Sequence, residues 1–163
     1  MEIKKLVEEI TVETGLLEEL LKVFERETAE MAKIDLTAMA LSNEQKEELI
    51  ARINVHSSSL LSAISRLALR EGLPESTSLA ALSEFVAKKG NTELLSKQQN
   101  IRRTTERLQQ VAALNREIAE RFASNVTTSL ALITRLINQS NVYGASGGYQ
   151  QRSAGAVMIN REA

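Results

Sequence analysis

The chain has no cysteine and no tryptophan, one proline and one histidine, and aromatics make up only 3% of its 163 residues. Without cysteine there is neither a disulfide framework nor thiolate chemistry, a pattern compatible with the cytosol. A single histidine, His56, with no cysteine beside it leaves no ligand set for zinc. It stands between Ile53 and Leu60 with Ser57 to Ser59 alongside, and reads as a partly buried, hydrogen-bonded residue. No serine sits in a nucleophile elbow, and no Gly-rich loop separates a strand from a helix. The acidic pairs Glu8–Glu9, Glu18–Glu19 and Glu47–Glu48 read as solvated helix faces, not acid–base couples. Neither an enzyme, a cofactor nor a metal is expected.

Strong net charge is also missing. Twenty basic and twenty-one acidic side chains produce no global field toward nucleic acid or an anionic membrane. Arg102, Arg103 and Arg107 form a small basic patch, but no aromatic residues interleave with it to stack on bases. No apolar run has the length and purity of a membrane span, and the first ten residues alternate charge with apolar residues where a secretory segment would be uniformly apolar. The chain reads as soluble and cytoplasmic.

What the sequence holds in quantity is helical periodicity. Scarce aromatics and proline with abundant Ala, Leu, Glu, Ser and Arg favour helix over sheet, so the expected fold is all-α: an elongated antiparallel bundle of three long helices and one short one. Ile3, Val7, Ile10, Thr14, Leu17, Leu21, Phe24, Thr28 and Met31 step by fours and threes, the mark of a first helix ending near Ile34. Gly15 interrupts it at a cost of roughly 1 kcal/mol relative to Ala, for close packing or a mild bend. Asp35 caps a second helix, which uses Leu36, Met39, Leu49, Ile53, Leu60, Ile64 and Leu67 and stops at Gly72 and Pro74. Ser42 and Gln45 have capping-box spacing and could restart it. Ser78 opens a short third helix closed by Gly90.

A long fourth helix follows from Asn91 to about Gln139, with a seam through Leu94, Ile101, Leu108, Asn115, Phe122, Ile133 and Leu136. Its first half suits helix one electrostatically: residues 1–30 carry nine acids against four bases, residues 91–122 six bases against four acids. Its second half differs. Ten residues are charged from Thr92 to Phe122, and from Ala123 to Val142 only Arg135 is. Val126, Leu130, Leu132, Ile133, Leu136 and Ile137 stand there among Ser and Thr, a sticky surface with little solvation. Helix lengths imply that the match to helix two expires near residue 127. The last turns then need a cover: another copy of the chain, a client helix, or the third helix or tail folding back.

Residues 1–140 therefore read as the helical domain and 141–163 as a disordered tail, since four of seven glycines fall in the last twenty residues. Val142, Tyr143, Tyr149, Val157, Met158 and Ile159 suit short linear recognition within it.

Three stretches carry a family likeness: LNREIAERF at Leu114 to Phe122, LALITRLINQSNVYGASGGY at Leu130 to Tyr149, and INREA at Ile159 to Ala163. With the acidic, Leu-rich first helix, they make the chain resemble the FlgN family of flagellar export chaperones over almost its full length. The resemblance implies a cytosolic type III export chaperone without ATPase activity that protects the hook-filament junction proteins FlgK and FlgL. It implies a client surface in the carboxy-terminal part, which agrees with Val126, Leu130, Leu132, Ile133, Leu136 and Ile137. The family's tail tyrosine, which helps dock the loaded chaperone on the export gate, matches Tyr143; that side chain could equally staple the helix end. The extra Gly and Ser around Ala145 to Gly148 depart from the family pattern. The competing expectations are a structural homo-oligomer with no client, and an interfacial membrane helix, for which Arg135 alone is a poor basic face.

Overall fold

The computed structural model describes residues 2–140, and the side chains of residues 2–137. Among the described residues all regular structure is helical: α1 (Glu2–Lys33), α2 (Leu36–Arg70), α3 (Leu79–Lys88) and α4 (Glu93–Ser140). The chain divides into two compact units, one running to Ala119 and one beginning at Glu120.

Local chemistry sets each helix end. α1, α2 and α3 all close with the paired backbone bonds of a Schellman turn: Asp35 N–H to Glu30 C=O, Leu73 N–H to Ala68 C=O, and Asn91 N–H to Val86 C=O. The left-handed residue in these turns is Gly72 (φ 79°) and Gly90 (φ 96°) in two cases and Ile34 (φ 55°) in the third. A β-branched residue is strained there by roughly 1–2 kcal/mol. The next helices start on side-chain caps, Asp35 accepting from Ala38 N–H at 3.0 Å and Ser78 from Ala81 N–H at 3.2 Å. Asn91 accepts from Glu93 N–H at 3.2 Å at the start of α4.

With so short a reversal at Ile34, α1 and α2 pair antiparallel. Glu2 meets Arg70 at 2.8 Å, Glu19 meets Arg52 at 3.6 Å and Glu27 meets Lys46 at 2.5 Å, one residue number rising as the other falls. α4 runs in the direction of α1: Leu94 joins the cluster around Leu6, Leu108 the cluster around Leu20, and Asn115 reaches Phe24, Glu27 and Thr28.

The interior of the first unit alternates apolar and polar layers. All four helices meet in one apolar cluster, with Leu6 and Ile10 from α1, Ile64 and Leu67 from α2, Leu82 and Val86 from α3 and Leu94 from α4. Burying each such side chain stabilises by about 1.5–3 kcal/mol. Next comes His56, whose Nδ1 lies 2.7 Å from Glu13 and Nε2 3.0 Å from Glu9, with Ser57 donating to Glu13 at 2.6 Å. The expected hydrogen-bonded histidine is found. A smaller apolar cluster of Leu20, Val23 and Leu49 follows, flanked by Phe24, Ile53 and Leu108. The last layer is polar again: Glu27, 6% exposed, accepts from Lys46 of α2 and, at 3.0 Å, from Asn115 of α4.

Several expectations need correction. α2 does not restart at Ser42; that hydroxyl is buried, donates to Glu30 at 2.7 Å and accepts from Arg26, so it holds α2 to α1. Leu36 is exposed at the start of α2 and is not an inward residue. Gly15 does not answer to close packing inside the chain, since a Cβ there would meet nothing within 4 Å. The acids of α1 meet Arg70, His56, Arg52 and Lys46 of α2, and Glu25 meets Arg107 of α4 at 3.3 Å, in line with the complementarity expected between α1 and α4.

Exposed pairs count for little by comparison. The Arg70 and Arg102 guanidinium groups are held above their ordinary pKa by hydrogen bonds and charge from Glu2 and Glu106, but both are fully exposed and were protonated already. The Glu27 pair is different because its carboxylate is enclosed. Lys46→Met is expected to destabilise the fold by about 3–5 kcal/mol, the consequence of a buried charge without its counter-charge; chemical denaturation measures it. Ile34→Gly is expected to raise stability by about 0.5–1 kcal/mol, relief of left-handed strain outweighing added chain entropy; calorimetry would read it as a higher Tm.

Candidate functional site

The most unusual stretch is the second part of α4. Up to Asn115 its seam is covered: Leu94, Thr104, Val111 and Asn115 are buried, and Ile101, Thr105, Leu108 and Ala112 partly so. From Ala119 to Ile137 every residue is exposed. Val126, Leu130, Leu132, Ile133, Leu136 and Ile137 all lie in this run, each between 42% and 66% exposed. Phe122 belongs with them at 48%; its place in the seam was the signal that could have added it to the candidate residues.

Cover ends some eight residues earlier than helix lengths alone suggest. Asn115 is already level with Phe24 to Thr28, and α1 stops at Lys33, so α1 runs out soon after Asn115. Counting residues along α2 placed the limit too late, because α4 begins beside Leu6 and is staggered along its neighbours.

The helical spacing puts Phe122, Val126, Ile133 and Leu136 on one side of α4, with Leu130 and Ile137 widening the stripe. The hydroxyls between them turn back on their own helix. Thr127 donates to Ala123 C=O, Thr128 to Ser124 C=O, Ser129 to Asn125 C=O and Thr134 to Leu130 C=O, at 2.9 to 3.0 Å. Their hydrogens are already satisfied, so covering this stretch desolvates fewer open donors than its composition suggests. These polar residues solvate the face less strongly than charges would and leave it cheaper to cover.

Other chemistry is sparse. No group of three or more His, Cys, Asp or Glu among the described residues is arranged to hold a metal ion. Among them no helix is long and apolar enough to cross a membrane. Tyr143 lies outside the described residues.

Among the described residues the chain is all-α and presents an exposed apolar helix face nearly without charge. The comparison with protein families is specific: residues 1–151 match the family described as FlgN protein, and the chain belongs to that family, one of flagellar export chaperones. No curated protein and no solved structure matches the chain.

Because the stripe makes no contribution to the core, Leu132→Asp with Leu136→Asp is expected to leave the unfolding free energy within about 0.5 kcal/mol. Leu94→Ala, inside the main cluster, should cost about 2–5 kcal/mol. Parallel thermal or urea melts of the two variants compare them directly.

Proposed function

We propose that this chain is a cytoplasmic, non-catalytic chaperone for type III flagellar export that takes the hook-filament junction proteins FlgK and FlgL as clients. The observation that carries the reading is the uninterrupted exposure of residues 119–137, in which Arg135 is the only charge after Arg121. An amphipathic client helix laid against Val126, Leu130, Leu132, Ile133, Leu136 and Ile137 covers both apolar faces at once, the helix-in-groove mode. The client segment is thereby kept from self-association, and the small area of one helix face keeps affinity moderate enough for release. Tyr143 is assigned to docking of the loaded chaperone on the export gate, on the family likeness of the tail. Motility through filament assembly is the biological output.

Calorimetric titration of the full chain with the terminal segment of FlgK tests the reading. Leu132→Asp with Leu136→Asp is expected to weaken binding at least tenfold, about 1.4 kcal/mol or more. Wild-type affinity in that variant would remove the α4 surface from client binding. Light scattering separates the structural alternative: a tight oligomer whose mass is unchanged by junction protein would favour a homo-oligomeric role.

A further inference from the structure

A second exposed apolar surface lies wholly within the first unit, between α1 and α2. It is a shallow groove of about 540 Å³ floored by Val12 and Leu16 of α1 and Ala51 and Val55 of α2. Val12 is 52% and Val55 78% exposed. A β-branched residue so open on a helix has no packing reason to be there. The walls are apolar, the groove is open along its length, and His56 at its edge is already taken up by Glu9 and Glu13. A small polar ligand would find no convergent free groups to orient it.

The rim is acidic. Glu8 and Glu19 bracket Val12 and Leu16 at helical spacing on α1, and Glu48 lies one turn before Arg52 on α2; all three carboxylates are exposed. The one cation at the groove, Arg52, is drawn to Glu19 at 3.6 Å, while Glu8 and Glu48 form no ion pair among the described residues. Gly15 adds an independent detail. It shares a side of α1 with Val12, and its missing side chain relieves no contact within the chain. Helix propensity argues against glycine there, whereas a neighbouring backbone crossing Val12 and Leu16 could approach closely at that point.

We propose that this groove is a docking site for an amphipathic α-helix of another protein, with an apolar ridge repeating every three to four residues and Lys or Arg on its flanks. The ridge fills the space between Val12 and Val55, and the flanking cations meet Glu8 and Glu48. A second copy of this chain fits poorly, since two acidic rims would be brought together. The site is separate from the α4 stripe and does not depend on the client assignment.

The probe is a labelled 18-residue synthetic helix with Leu at every third or fourth position and Lys on both flanks, titrated against the full chain by fluorescence anisotropy. A twin peptide carries Glu in place of Lys. The Lys peptide is expected to bind at least tenfold more tightly than its twin, and to lose at least tenfold in Val12→Ser with Val55→Ser. Glu8→Lys with Glu48→Lys should reverse the preference between the two peptides. Equal binding of both peptides by the wild-type chain would overturn the proposal. So would loss of binding in Leu132→Asp with Leu136→Asp but not in the Val12/Val55 variant, which would assign the probe to α4. Self-association that disappears with the Val12/Val55 substitutions would overturn it in favour of a second copy.

Discussion

The enclosed carboxylate of Glu27 is the constraint on which the arrangement of the long helices depends. It accepts from Lys46 on α2 and Asn115 on α4, while Asn115 also donates to Phe24 C=O at 2.8 Å and Thr28 donates to Asn115 Oδ1 at 2.6 Å. Three helices are thus tied at one level by groups that must all be satisfied together. Apolar seams tolerate sliding by a heptad, since leucine against leucine looks much alike in either register. A buried asparagine facing a buried carboxylate does not, because a slip strands both in an apolar layer. The His56 layer imposes the same condition nearer the amino terminus of α1, with two carboxylates fixed around one imidazole.

Fixing the register also fixes where α4 loses its neighbours. Once Asn115 is level with Glu27, only the final turns of α1 remain, and exposure begins at Ala119. The chain's composition follows that boundary closely. Charges that solvate an ordinary helix surface stop at Arg121, and the hydroxyl residues that replace them bond to their own carbonyls. Such a face is soluble enough to remain uncovered and inexpensive to desolvate when covered. The chain's family is one of flagellar export chaperones, and the proposed function uses this face for a partner.

Much of this was legible in the residues. The four helices, the caps at Asp35 and Ser78 and the stop at Gly72 follow from local rules, in which one or two residues decide the backbone, and the collapse of charge after Phe122 marked the exposed run of α4. What was not legible depends on contacts between distant parts. Ser42 looked like a cap because its sequence neighbours suit one, and only the approach of Glu30 and Arg26 makes it a bridge. Leu36 looked inward by periodicity, yet it falls where the chain reverses and nothing lies over it. The electrostatic match expected between α1 and α4 is met at Glu25 and Arg107, whereas the pairs of α1 along α2 depend on the tight turn at Ile34, which sets α2 alongside α1. The limit of cover on α4 required its stagger, which no count of helix lengths contains.

Hydrogen exchange by mass spectrometry, on the full chain alone and with junction protein, tests the central claim most directly. The exposed turns from Ala119 to Ile137, where Arg135 is the only charge after Arg121, should exchange rapidly in the free protein and the turns around Leu94 to Asn115 more slowly. The proposed function has 119–137 gain protection when junction protein is added. Strong protection of 119–137 in the free monomer, or client-induced protection confined to α1 and α2, would contradict it.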